Sequence, residues 1–172
     1  MSPFRWSFRS QFLLGFVACA CLLAYALYVQ FQLQILPCPF CIFQRLAFAA
    51  LGLVFLVGGL HAPRGAGARR AWSLLAFTAA AVGMGYSGRH SWVQLFPPEL
   101  PNCGPGLNFM LESNSWLGAA RQVLMATGDC SAIDWKLLGL SMPMWCLLWF
   151  IGLGLWALYA GFKRRTNHLF RR

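Results

Sequence analysis

Cys38-Pro39-Phe40-Cys41-Ile42-Phe43-Gln44-Arg45 is where a short loop gives way to a long apolar run. Two cysteines two residues apart make a vicinal dithiol, which can hold or release two electrons. Pro37 and Pro39 interrupt the chain and place a helix start near Pro39. Cys41 then falls in the first turn, where unpaired amides and the helix dipole favour an anion. Arg45 follows four residues later on the same helix face. Both effects favour thiolate over thiol, as in C-x-x-C redox sites. An apolar run that opens on such a pair puts the chemistry beside lipid.

The run is one of several. The chain has 172 residues, 59% hydrophobic and 10% charged. A soluble domain of this length cannot hide so much apolar surface, so a membrane is the expected solvent. A helix needs about 20 apolar residues to cross a bilayer. Four stretches qualify, at about 11–30, 43–60, 71–88 and 143–162. The expected fold is all-α: a four-transmembrane-helix bundle, one integral membrane domain over residues 1–172.

Charge sets the orientation. Arg5, Arg9, Arg64, Arg69, Arg70, Lys163, Arg164, Arg165, Arg171 and Arg172 all flank one side of the four stretches. Arg45, Arg89, Arg121 and Lys136 fall on the other side, with all four acids, Glu99, Glu112, Asp129 and Asp134. Positive flanks face the cytoplasm, so both termini are expected there, and four crossings give the even count this requires. The net charge of +10 is thus topology information. It does not indicate nucleic-acid binding, because no soluble basic domain carries it. The same parity makes the first stretch a span and not a signal peptide.

Two loops are expected on the far face, at about 31–42 and 89–142. Prolines at 97, 98 and 101 forbid regular structure near Cys103. Residues 113–126 then carry Trp116, Leu117, Ala120, Val123 and Leu124 at helical spacing, which predicts a short helix lying in the membrane interface. Gly128-Asp129-Cys130 ends it.

Seven cysteines divide by topology. Cys19, Cys21 and Cys146 lie within spans and read as packing residues. Cys38, Cys41, Cys103 and Cys130 lie on the outer face, where disulfides persist. Four cysteines allow three pairings; Cys38 with Cys41 and Cys103 with Cys130 is the pair-by-loop choice. A staple closing so small a loop as 38–41 constrains the unfolded chain little, which favours a redox role. A zinc or copper site is the rival, but only one pair has metal spacing, and the expectation is no metal.

Electrons leaving the dithiol need an acceptor. The chain has no glycine-rich dinucleotide fingerprint and no Cys-x-x-Cys-His haem motif, since Ile42 follows Cys41. A lipid-soluble quinone, ubiquinone or menaquinone, meets the need. Arg45 is the candidate donor to its carbonyl, with His90 and Gln94, one turn apart, as a second polar contact or proton source.

Cys38-Pro39-Phe40-Cys41 followed by Gln44-Arg45 resembles the quinone-side motif of the bacterial disulfide bond formation protein B family. Gly128-Asp129-Cys130 and Met142-Pro143-x-Trp145 are similar too, and the likeness runs from about Arg9 to Gly161. The resemblance implies a bacterial inner-membrane thiol:quinone oxidoreductase with its catalytic cysteines on the periplasmic face. It implies that a thioredoxin-like, DsbA-type oxidase attacks Cys103, that Cys130 exchanges with Cys38, and that Cys41 contacts the quinone beside Arg45. It also implies that His90 and Gln94 lie near the quinone. The DsbA–DsbB–quinone system keeps the bacterial periplasm oxidising. Two other classes compete: a membrane oxidoreductase of the vitamin K epoxide reductase type, and a non-enzymatic membrane protein with structural disulfides.

Overall fold

The computed structural model describes residues 6–32, 34, 38–96 and 136–163. Cys103, Cys130 and the expected helix at 113–126 lie outside these residues. Four helices carry the described fold: α1 (Phe8–Gln32), α2 (Pro39–His61), α3 (Ala66–Leu95) and α4 (Met142–Phe162). A two-stranded antiparallel ribbon, β1 (Lys136–Leu137) and β2 (Leu140–Ser141), precedes α4.

Each helix is bounded by backbone chemistry legible in the chain. Pro39 and Pro143 sit in the first turns of α2 and α4, where a missing N–H costs nothing. α2 ends where Ala62 turns left-handed (φ 40°, ψ 57°) and returns its N–H to the Gly58 carbonyl, just before Pro63. α3 runs on to Leu95 because nothing from Arg89 to Phe96 breaks it; Pro97 is the first stop. The expected loop from residue 89 therefore begins later, and Arg89, His90 and Gln94 belong to a helix. α2 starts at Pro39, as the prolines of the chain imply, and Cys41 lies in its first turn.

α1, α2 and α4 are long and apolar enough to cross a membrane. α3 is the longest at 30 residues but the least apolar of the four, interrupted by Arg69, Arg70, Ser73, Ser87, Arg89 and His90. Large apolar side chains point outward along the bundle, among them Val17, Leu53, Leu60, Val82 and Leu155. A water-facing surface would not expose so many; hydrocarbon accepts them.

The interior is aromatic and closely packed. α3 lies chiefly against α4, α1 against α2, and α2 against α3, while α1 meets α4 over a smaller contact. Phe48 of α2 stacks on Phe150 of α4, with ring centroids 3.9 Å apart. Phe12 of α1 meets Phe55 of α2 edge-on at 5.2 Å. Two glycines make this possible. A Cβ on Gly15 would fall 2.9 Å from the Phe55 ring, and one on Gly83 would overlap Phe150. The α1–α4 contact is tied by the Trp156 indole N–H, which donates to the Gln11 carbonyl at 2.9 Å.

Candidate redox site

Cys38 is the N-cap of α2, with extended backbone (φ −67°, ψ 163°). Its carbonyl accepts the Ile42 N–H at 3.1 Å, and its Sγ accepts the Cys41 N–H at 3.3 Å. The sulfur thus occupies the place a serine or aspartate oxygen takes at an ordinary cap. Cys41 stands three residues on, its Sγ 2.9 Å from that of Cys38. Both sulfurs face each other at a helix N-terminus, in position to pass between dithiol and disulfide with small side-chain rotations.

Cys41 lies in the first turn of α2, where the sequence places it. The structure gives the capping amide to Cys38. First-turn side chains lean back past the N-terminus, whereas the cap side chain folds over the unpaired amides.

α3 supplies the third member. His90 is 2% exposed and brings Nε2 to 3.9 Å from the Cys38 Sγ. Its ring is fixed on two sides. Phe40 stacks on it at 5.2 Å between centroids with planes 17° apart, and the Gln44 amide nitrogen lies 3.4 Å from Nδ1. Phe40 and Gln44 are one turn apart on α2, so a single face of that helix holds the imidazole. Below them Phe43 stacks on Tyr86 of α3 at 5.2 Å. When the Gln44 amide donates to Nδ1, the ring proton is on Nε2, the nitrogen that faces the Cys38 sulfur.

Arg45 has a different neighbourhood. Its guanidinium reaches α1, donating from Nη2 to the Ala26 carbonyl at 3.0 Å and from Nη1 to the Gln30 side-chain oxygen. It pins the end of α1 beside the start of α2. Gln94 stands one turn beyond His90 and is half-buried. Cys146 of α4 is half-buried. It packs against the apolar core, as does fully buried Cys19, while Cys21 is exposed on α1. Gln44 is the residue to which sequence reasoning gave no role. Its signal was present: an uncharged polar side chain early in an apolar helix, 3% exposed once folded.

An apolar helical bundle with a vicinal cysteine pair capping one helix, backed by a buried histidine, defines a membrane-bound thiol oxidoreductase. The comparisons with known proteins specify which. Residues 8–160 match the family described as Disulfide bond formation protein DsbB. The protein named Disulfide bond formation protein B of Xanthomonas campestris pv. campestris (strain 8004) is 62% identical over 166 residues, 96% of each chain. That of Xanthomonas oryzae pv. oryzae (strain MAFF 311018) is 60% identical over 98% of this chain and 99% of its own. That of Xylella fastidiosa (strain 9a5c) is 49% identical over 99% of each. The chain belongs to the disulfide bond formation protein DsbB family. It is an oxidoreductase of disulfide bond formation. Neither a vitamin K epoxide reductase-type enzyme nor a purely structural membrane protein accounts for a likeness of this extent.

Proposed function

We propose that this chain reoxidises a periplasmic, thioredoxin-like DsbA-type oxidase and passes the electrons through two cysteine pairs to a membrane quinone. The observation that carries it is the Cys38–Cys41 pair capping α2 against the buried His90. In this reading residues 1–172 form one domain that crosses the bacterial inner membrane four times, α3 included. Both termini are cytoplasmic, and the loop after α3, with its interfacial helix at 113–126, is periplasmic. The asymmetry of Lys and Arg supports that orientation.

The residues present fit a quinone. Arg45 and His90 offer N–H donors of the kind its carbonyl oxygens need, and the surrounding surface is apolar; Leu46 and Trp92, for example, are exposed beside Arg45 and His90 in sequence. The chemistry supplied by a bound quinone is uptake of two electrons and two protons. Everything else falls to this chain. A partner thiolate attacks Cys103 of the Cys103–Cys130 disulfide, forming a mixed disulfide and releasing the Cys130 thiolate. Cys130 attacks Cys38, opening the Cys38–Cys41 disulfide and releasing Cys41 as thiolate. The partner's second thiolate then attacks the mixed disulfide and leaves oxidised, freeing Cys103. Cys103 displaces Cys38 from Cys130 and restores the loop disulfide. The pair Cys38–Cys41 is left with two electrons more than it began with. Arg45 favours the Cys41 thiolate by charge, and His90 holds a proton at Nε2 facing Cys38.

Replacing Cys130 tests the order. With Cys130→Ser, a covalent complex with the partner accumulates through Cys103 and is visible on non-reducing gels under turnover. No such complex would mean that electrons enter elsewhere. Lipid extraction of the detergent-purified chain tests the acceptor: recovered quinone supports it, and quinone-free protein that still turns over rejects it.

A further inference from the structure

We propose that Cys38, Cys41 and His90, in the reduced protein, form a three-donor site for a thiophilic closed-shell cation of the zinc and cadmium class. The claim concerns the donor set alone and does not depend on the quinone reading. The two sulfurs and an imidazole nitrogen lie within 4.8 Å of one another. Their separations are 2.9 Å between sulfurs and 3.9 Å from the Cys38 Sγ to Nε2. Tetrahedral zinc takes sulfur at about 2.3 Å and imidazole nitrogen at about 2.0–2.1 Å. Those bonds set donors roughly 3.5–3.8 Å apart. The sulfurs must therefore open by less than about 1 Å, and the nitrogen must close by a few tenths toward Cys38 and by about 1.3 Å at most toward Cys41. Rotation about the cysteine χ1 angles supplies the first movement without shifting either helix.

Two features make this a built site and not a coincidence of three side chains. The donors sit on rigid elements, two at the capped start of α2 and one on α3, and the histidine is buried. The histidine also has an outer partner of the kind ligating imidazoles require. The Gln44 side chain can face Nδ1 with its amide nitrogen or its oxygen. With nitrogen toward Nδ1, Nε2 carries the proton and serves thiol chemistry. With the amide turned over, its oxygen accepts from Nδ1–H, and the Nε2 lone pair points at the sulfurs and is free to ligate. One amide rotation separates the two uses.

Binding is a ligand exchange and needs no oxidant: the cation takes two thiolates and one neutral imidazole, and two thiol protons leave to solvent. The disulfide form has no thiolates to give, so the oxidised protein does not bind. A bound cation occupies both sulfurs and holds the protein in its reduced state.

The test uses the full chain in detergent with Cys103→Ser and Cys130→Ser, leaving Cys38 and Cys41 as the outer-face cysteines. The reduced protein, freed of reductant under anaerobic conditions, is titrated with cadmium chloride. Binding is followed by the ultraviolet thiolate-to-cadmium charge-transfer band and counted by equilibrium dialysis. One cadmium per reduced chain and none per oxidised chain is the expected result. His90→Ala should weaken binding at least tenfold, and Gln44→Leu should weaken it about tenfold with the stoichiometry kept. Equal binding by the oxidised chain overturns the site. Binding lost with Cys38→Ser but unchanged in His90→Ala overturns it as well, because the ion would then be held by thiolates alone.

Discussion

Arg45, Gln44 and His90 show how differently neighbouring residues are used. Arg45 follows Gln44 directly, yet the two serve opposite sides of α2: Arg45 reaches the Ala26 carbonyl of α1, while Gln44 faces His90 of α3. Arg45→Met removes the cation and two charge-assisted hydrogen bonds, each worth about 1.5–3 kcal/mol at most. Oxidation of the Cys38–Cys41 dithiol by added quinone should slow at least tenfold, with exchange between Cys103 and the partner unaffected; stopped-flow kinetics of the two half-reactions separate them. Gln44→Leu leaves the sulfurs in place and deprives the imidazole of its orienting amide. The pH profile of dithiol oxidation should then shift, with the rate falling about tenfold, while gel-trapped exchange intermediates keep their yield. An unchanged profile would make Gln44 a packing residue only. Cys38 and Cys41 were legible as a pair because proline and cysteine spacing is local. His90 was legible only as a polar side chain; its approach to Cys38 spans 52 positions and depends on how α3 lies on α2.

Helix starts and stops were largely written in the chain. Pro39, Pro143 and the Ala62-Pro63 stop fall where backbone chemistry demands them. The ends of α3 were less legible, because a span estimate looks for apolar residues and α3 continues through Arg89 and His90. Helical geometry does not require apolarity; it requires only that nothing break it. The ribbon before α4 had no sequence signal. Its turn places Leu138 (φ 52°) and Gly139 (φ 81°) in left-handed backbone, a conformation leucine rarely adopts. Packing between elements gives a prediction of its own. Gly83 lets α3 approach Phe150, whose ring also stacks on Phe48, so one glycine holds three helices together. Gly83→Val should cost about 1–3 kcal/mol by overpacking and lower the melting temperature in detergent by several degrees. Gly85→Ala, whose added Cβ meets nothing within 4 Å, is the matched control and should melt like the parent.

For the whole molecule, topology decides whether the dithiol and the loop cysteines meet. Ten of the 14 Lys and Arg residues flank one side of the expected spans. A fluorescent-protein fusion after residue 172, or inserted at Gly65, should fluoresce, and alkaline phosphatase inserted between residues 97 and 135 should be active. Phosphatase activity at Gly65 would reverse the orientation and put Cys38 on the reducing side. Fluorescence at both Gly65 and the 97–135 insertion would mean that α3 does not cross.

The solvent, the four described helices and the dithiol can be read from the chain, because apolar content, charge asymmetry and the Cys38-Pro39-Phe40-Cys41 spacing are properties of short stretches. Packing between helices decides that Arg45 leans on α1 and that His90, held by Phe40 and Gln44, closes over Cys38. Those outcomes depend on where one helix lies against another. That is fixed by ring stacking and close glycine contacts between residues far apart in the chain, and no local pattern records it.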